Sequence, residues 1–241
     1  MIGARVAELA WTEIEERLAR GAIAVLPIGA ASKEHGPHLP MSTDWLTAEA
    51  LGARLAATSD VLVWPAVGYG FYPAFVDYPG STSVPEDVFR ATLAALLGDL
   101  VRAGASGILV LNTGISTIRA VDAVVSTPGA PPRAAVHVYR GARYVAEVAA
   151  VCEQPRGGHA DEAETSVMLH LHPERVRMER APTWTREMKP GRFHRTDASS
   201  PSYSPSGIYG DATLATAEKG ARLVRAMLED ALEAIDRLRR G

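Results

Sequence analysis

At 241 residues, with 47% hydrophobic and 22% charged residues, the chain has the apolar material for a substantial core and the composition of an ordinary globular protein. Its net charge of -3 comes from intermixed acids and bases, so there is no basic stripe for a phosphate backbone, which argues against a nucleic-acid partner. No apolar run approaches the roughly 20 residues of a membrane span, and the amphipathic, acid-containing stretch from Met1 to Glu16 is unlike a secretory signal, so the expected compartment is the cytoplasm.

Short β-type runs alternate with helical ones. Strands are expected near Ala22–Ile28, Val61–Ala66, Gly107–Asn112 and Ala135–Tyr139, and helices near Trp45–Ala57, Pro85–Ala103, Ala142–Cys152 and Glu162–His170. That alternation predicts a single α/β domain over residues 1–241, built around a mainly parallel sheet. Pro85 followed by Glu86 and Asp87 suits a first helical turn, where proline lacks no needed donor and acids meet the positive end of the dipole. Residues 181–210 are rich in Pro, Ser, Thr and Arg without a period of either kind, which predicts a long loop, as a lid, an arm to a neighbouring subunit or local disorder. Residues 213–240 have helical apolar spacing and finish on Arg237, Arg239 and Arg240, which complement a helix carboxyl end. The single cysteine, Cys152, excludes an internal disulfide and a cysteine-based zinc site, so any metal must be held by nitrogen and oxygen.

Three stretches carry chemistry. Lys33 to Asp44 packs Glu34, His35, His38 and Asp44 into a loop broken by Gly36, Pro37 and Pro40, at the carboxyl end of the first expected strand. Carboxylate plus imidazole is the ligand set of zinc, manganese or iron, and a carboxylate can bridge two ions. Thr43 or Asp44 also suits a helix N-cap, and Glu34 a solvated loop acid. The second stretch places Gly157 and Gly158 before a helix that opens with His159, Asp161, Glu162 and Glu164. Acids belong at a helix start for dipole reasons alone, and of the pairs Glu162–Ser166 and Asp161–Glu164 at most one can face the loop. The third, Asn112-Thr113-Gly114-Ile115-Ser116-Thr117, is a strand end turning into a helix, where Thr113, Ser116 and nearby amides can steady an anion or a carbonyl oxygen.

Leu26-Pro27-Ile28-Gly29-Ala30, then Glu34-His35-Gly36-Pro37-His38-Leu39-Pro40 with Thr43-Asp44, and later His159-Ala160-Asp161-Glu162-Ala163-Glu164-Thr165-Ser166, together resemble the creatininase (creatinine amidohydrolase) family. Tyr78-Pro79-Gly80-Ser81 and Gly210-Asp211-Ala212-Thr213 are similar to weaker signatures of that family. The resemblance implies a three-layer α/β/α fold, a homo-oligomer that is a hexamer or trimer of dimers, and one or two divalent metal ions (zinc, manganese or iron) that activate water for C–N bond hydrolysis. By position it implies His35, Asp44 and Glu164 as metal ligands, with Asp44 as the bridge and Glu34 as the nearest substitute for a further one. It gives His159 a role in proton transfer.

Two departures from the family pattern stand out. Lys33 occupies the place, two residues before the histidine, where the family usually has a glutamate. Where the family usually has Asn-Gly-His, this chain has Asn112-Thr113-Gly114, and Ser116 stands where creatininase has a carboxylate. One metal position has thus lost an imidazole, which His38 or His159 would have to replace. Strict creatininase activity is therefore not expected.

The expected activity is hydrolysis of an amide, cyclic amide or formamide of a small molecule, with metal at Glu34, His35, Asp44 and Glu164 and proton transfer by His159 or Glu162. His38, Thr113 and Ser116 are the expected substrate contacts. The alternative is a family member that binds a small ligand without hydrolysing it. The substrate pocket is expected between the stretch containing Trp64 and Tyr69–Asp77 and the 181–209 stretch, where Arg186, Lys189, Arg192 and Arg195 favour a carboxylate or phosphate. Phe71, Tyr72, Phe75 and Tyr78 are expected in the core or at a subunit interface.

Overall fold

A computed structural model describes residues 2–240. The central sheet has five strands: β1 (Ala4–Arg5), β2 (Ile23–Ile28), β3 (Val61–Val63), β4 (Gly107–Asn112) and β5 (Arg133–His137). They lie in the order β1-β3-β2-β4-β5, and every pairing is parallel. β2 and β4 are buried at every position, as central strands covered on both faces must be, and this is why they read as unbroken apolar runs.

Alternation along the strands divides the core in two. Ile23, Val25, Val61, Val63, Leu109 and Leu111 face helices α2 (Thr43–Thr58), α5 (Ala142–Val151), α6 (Glu162–Leu171) and α7 (Ala217–Arg240). Ala24, Leu26, Ile28, Leu62, Ile108 and Val110 face α1 (Trp11–Ala19), α3 (Glu86–Arg102) and α4 (Ile118–Val125). The result is the three-layer α/β/α sandwich with a parallel sheet. No helix among the described residues is long and apolar enough to cross a membrane.

β3 stops at Val63, short of the expected Ala66, because Pro65 has no N–H for a ladder; Trp64 and Val67 still donate to the Val25 and Pro27 carbonyls at 2.9 Å each. The edge strand β1 and helix α1 were not among the expected elements. Within the long loop, β6 (Thr183–Trp184) pairs antiparallel with β7 (Gly210–Asp211), so this stretch is not structureless.

The strand order places the site. The chain leaves β2 towards β3 on one side and leaves β4 towards β5 on the other, so a crevice opens between the carboxyl ends of these two adjacent strands. The 29–42 and 113–117 loops flank that crevice, and the start of α6 meets them there.

Candidate active site

Asp44 lies in the first turn of α2, but its carboxylate does not cap the helix; nor does Thr43, whose hydroxyl donates to the Pro40 carbonyl at 2.7 Å. Asp44 Oδ2 is instead 2.7 Å from Lys33 Nζ, and its Oδ1 is 3.1 Å from His35 Nε2. Asp44 and His35 are fully buried and Lys33 is 5% exposed. Burial alone would raise the Asp44 carboxyl, but the charges of Lys33 and His35 outweigh it and hold the group well below the usual carboxylate range. Asp44 is therefore an acceptor only.

The ring of His35 is fixed from its other side. Nδ1 lies 2.9 Å from the Lys33 carbonyl, which can only accept, so Nδ1 carries a proton and Nε2 is the ring atom turned to Asp44 Oδ1. With no metal, a proton on Nε2 joins these two atoms 3.1 Å apart; once it leaves, an imidazole nitrogen and a carboxylate oxygen are presented side by side to a divalent ion. The donor set fits a divalent metal on this ground.

His159 follows two glycines and precedes Ala160, which is held in the left-handed region at φ 47°, a strained conformation for a residue with a Cβ. Its backbone is fastened to Tyr209 by reciprocal bonds of 3.2 and 2.8 Å, so the 181–210 stretch sets its position. His159 Nε2 lies 3.0 Å from both the carbonyl oxygen and Oε2 of Glu34. Both partners accept, so Nε2 donates, and Nδ1 is left facing Glu164 Oε2 at 3.6 Å. Among the described residues, His35, His159 and Glu164 form the group whose ligand atoms all lie within 4.8 Å of one another.

Sequence reasoning placed Glu34 among the metal ligands, but its carboxylate goes to His159 and to the Gly36 amide, beneath Gly207. Burial raises its carboxyl, but the hydrogen bond and charge of His159, with the Gly36 amide, more than compensate, and Glu34 stays ionised below its ordinary range. Glu162 is turned away altogether. Its fully buried carboxylate accepts from the Glu153 and Gln154 amides and from Lys219 Nζ, ties that anchor α6 to its surroundings and leave nothing for proton transfer.

Asp161 is the N-cap of α6, accepting from the Ala163 and Glu164 amides; burial and the nearby Glu164 charge raise its carboxyl to about 6. The Asp161 cap leaves Glu164 as the carboxylate that reaches the cluster.

His38 and Thr113 are not free to touch substrate either. His38 is 1% exposed with Nε2 2.8 Å from Thr165 Oγ1, and burial with the nearby His35 lowers its imidazole to about 4. Thr113 Oγ1 bonds the Ile28 and Asp44 carbonyls at 3.0 and 3.1 Å, fixing the crossing of β2, β4 and α2.

A cleft of about 640 Å³ opens onto Lys33, His159 and Glu164. Phe71, Phe75, Ile115 and Phe193 give it apolar walls, and Ser116, Arg119 and Arg192 line it with polar groups. The Phe75 ring stacks on His159 at 4.1 Å between centroids, and Phe193 meets the same imidazole edge-on at 5.7 Å. Of the four aromatics expected in a core or interface, Tyr72, Phe75 and Tyr78 are buried and Phe71 packs against the core, while Phe71 and Phe75 also line the cleft. Phe193 and Arg119 escaped sequence reasoning because nothing local marks a loop phenylalanine or a helix arginine as belonging to a distant site.

The family model for creatininase (creatinine amidohydrolase) matches residues 7–235. The chain belongs to the creatininase family. The mycofactocin precursor peptide peptidase of Mycobacterium tuberculosis (strain CDC 1551 / Oshkosh) is 30% identical over 227 residues, covering 88% of this chain and 84% of the relative. A solved creatinine amidohydrolase (creatininase) shares the fold at TM-score 0.78 and 23% identity, covering 98% of this chain and 97% of the other. A manganese creatininase (22% identical, 97% of each chain covered) and a creatininase variant of Zn–Zn type (21% identical, 98% of each chain covered) both superpose at TM-score 0.76. Family membership and the peptidase relative indicate that this creatininase-family chain is a hydrolytic enzyme.

Proposed function

We propose that this chain is a metal-dependent hydrolase of a C–N bond in a small amide, cyclic amide, formamide or short peptide. One observation carries the reading: His35 Nε2 and the ionised Asp44 Oδ1 face each other, and His35 is grouped with His159 and Glu164, which line the cleft. His35, Asp44 and Glu164 would hold the ion, and the manganese and zinc of the related solved structures make either metal a reasonable occupant. When bound, a divalent ion supplies Lewis acidity, bringing the pKa of water to near neutrality and polarising a carbonyl.

The chain's own residues do the rest. His159, donating through Nε2 to Glu34, keeps Nδ1 as the atom that takes a proton from water and returns it to the leaving nitrogen. Glu34 fixes that tautomer and stabilises the imidazolium as it forms, as an orienting carboxylate does in any carboxylate–imidazole pair. Phe75 and Phe193 pack on the imidazole and keep bulk water from it. Ser116 reaches the cleft and is the group best placed to donate to a substrate carbonyl oxygen.

The cleft's composition favours a substrate with an apolar group against Phe71, Phe75 and Phe193. An anionic group would suit Arg119, which lines the cleft together with Glu86 and with Arg192, itself paired to Asp77. The test is hydrolysis of a panel of small amides, formamides and short peptides by protein stripped of metal and then reconstituted with Mn²⁺ or Zn²⁺. Turnover that needs metal and is lost in Glu164→Gln supports the reading. Turnover unaffected by chelation, or ligand-induced stabilisation with no turnover on any panel member, contradicts it.

A further inference from the structure

We propose that Lys33 takes the place of a second metal ion at this site, so that the chain binds one divalent ion where the carboxylates could otherwise hold two. The proposal rests on the metal-dependent reading above and concerns what stands beside the ion. Lys33 Nζ sits 2.7 Å from Asp44 Oδ2, on the opposite carboxylate oxygen from the one that faces His35. Its side chain is 6% exposed, and the Phe75 ring lies beneath the ammonium at 4.9 Å. A buried lysine set between a carboxylate oxygen and an aromatic face stands against the oxygen that a second metal ion would have to use.

The neighbouring turn after β4, residues 112–117, supplies no imidazole and no carboxylate for a second ion. Thr117 Oγ1 donates to Asn112 Oδ1 at 2.8 Å and lies equally close to the Gly114 carbonyl, drawing this turn into a compact knot. A Cβ built at Gly114 would meet Thr117 Oγ1 at 2.6 Å and the Tyr72 ring at 3.1 Å, so no imidazole can project from that position without moving both. Tyr72 is itself 2% exposed, and its hydroxyl has no hydrogen-bond partner among the described residues. Burial and the Asp44 charge raise this phenol well above its ordinary value, so it offers no phenolate to a metal. Glu34, the other acid of the loop, is committed to His159. Among the described residues the set around His35 is thus left with donors for one ion.

The assignment makes Lys33 a positioning residue that acts through Asp44. Its charge sits one carboxylate away from the ion, so it weakens metal binding while orienting Asp44, and its removal should tighten binding. The experiment is a titration of metal-free wild type, Lys33→Arg and Lys33→Met with Mn²⁺, read by calorimetry and by electron paramagnetic resonance. Wild type is expected to saturate at one Mn²⁺ per chain, with the six-line signal of an isolated ion. Lys33→Met should also take one ion, with affinity raised about tenfold or more by loss of a neighbouring positive charge, while Lys33→Arg should stay near wild type.

Two ions per chain in wild type, or the exchange-coupled spectrum of a dinuclear pair, would overturn the proposal and leave the hydrolase reading intact. Unchanged or weakened binding in folded Lys33→Met would also overturn it. No Mn²⁺ binding by wild type at all would bring down the metal-dependent reading, and this proposal with it. Wild-type stoichiometry decides the matter even if a variant fails to fold.

Discussion

Glu34 and His159 divide one task between them, and the division predicts distinct losses. His159→Gln removes the group that moves the proton and should lower kcat by roughly a hundredfold or more, with metal content unchanged. Glu34→Gln keeps the shape but loses the charge that fixes the tautomer, and a loss of about 10- to 100-fold is expected, again with metal retained. Metal loss in either variant, read by elemental analysis, would return that residue to the ligand set. His38 gives a stability prediction with a defined sign. Its imidazole is lowered to about 4 in the folded chain from the ordinary 6.5, so the unfolded chain takes up the proton first as pH falls. Its contribution is therefore full above pH 6.5 and is lost as pH drops towards 4, by an amount on the order of 3 kcal/mol. Asp161, raised to about 6, has the opposite sign, with stability falling as pH rises from 3.8 through 6. Comparing urea unfolding of wild type and His38→Gln between pH 4 and 7 isolates the histidine. Parallel curves would mean that His38 is not buried as a neutral ring. At this scale the sequence was legible in residue types but not in directions. The loop could be recognised as a ligand cluster, yet which of Glu34, His38 and Asp44 turns inward depends on Lys33, Thr165 and Gly207, distributed over the whole chain.

The 181–210 stretch works as an element without regular structure. Its backbone ties to Ala74, its short β6–β7 pair and its bond from Tyr78 Oη to the Ser204 carbonyl at 2.6 Å make it one wall of the cleft. Gly207 carries the closest approach. With φ at +87°, a Cβ there would lie 2.0 Å from Glu34 Oε1. Gly207→Ala is expected to cost at least about 1–2 kcal/mol from backbone conformation alone, and to lower activity further by displacing Glu34 from His159. Thermal unfolding and steady-state rates measure both; wild-type values for both would show that the wall does not set the Glu34 position. Sequence alone identified this stretch by what it lacked, a period. Its order comes from contacts across the stretch itself and with residues as distant as Ala74, Tyr78 and Glu34, which no local pattern records. The opposite holds for β2, β4, α3 and α7, whose apolar spacing made them legible because burial on one or both faces is written directly into local periodicity.

For the whole molecule, the governing fact is that one sheet end gathers residues from four separate parts of the chain. The 29–44 segment brings Lys33, His35 and Asp44, the turn after β4 ties Thr113 to the Asp44 backbone, α6 brings Glu164, and the 181–210 wall holds His159. The parallel α/β architecture was legible from the alternation of strands and helices, and with it the end of the sheet at which a site must lie. The edge strand β1, of two residues, was too short to carry a period. The decisive measurement is a crystal structure of the protein loaded with Mn²⁺ or Zn²⁺, with the ion placed by its anomalous scattering. A single strong peak per chain is expected, bounded by His35 Nε2, Asp44 Oδ1 and the Glu164 carboxylate, with Lys33 Nζ still on Asp44 Oδ2. A peak elsewhere on the chain, or none at this cluster under saturating metal, would contradict this expectation.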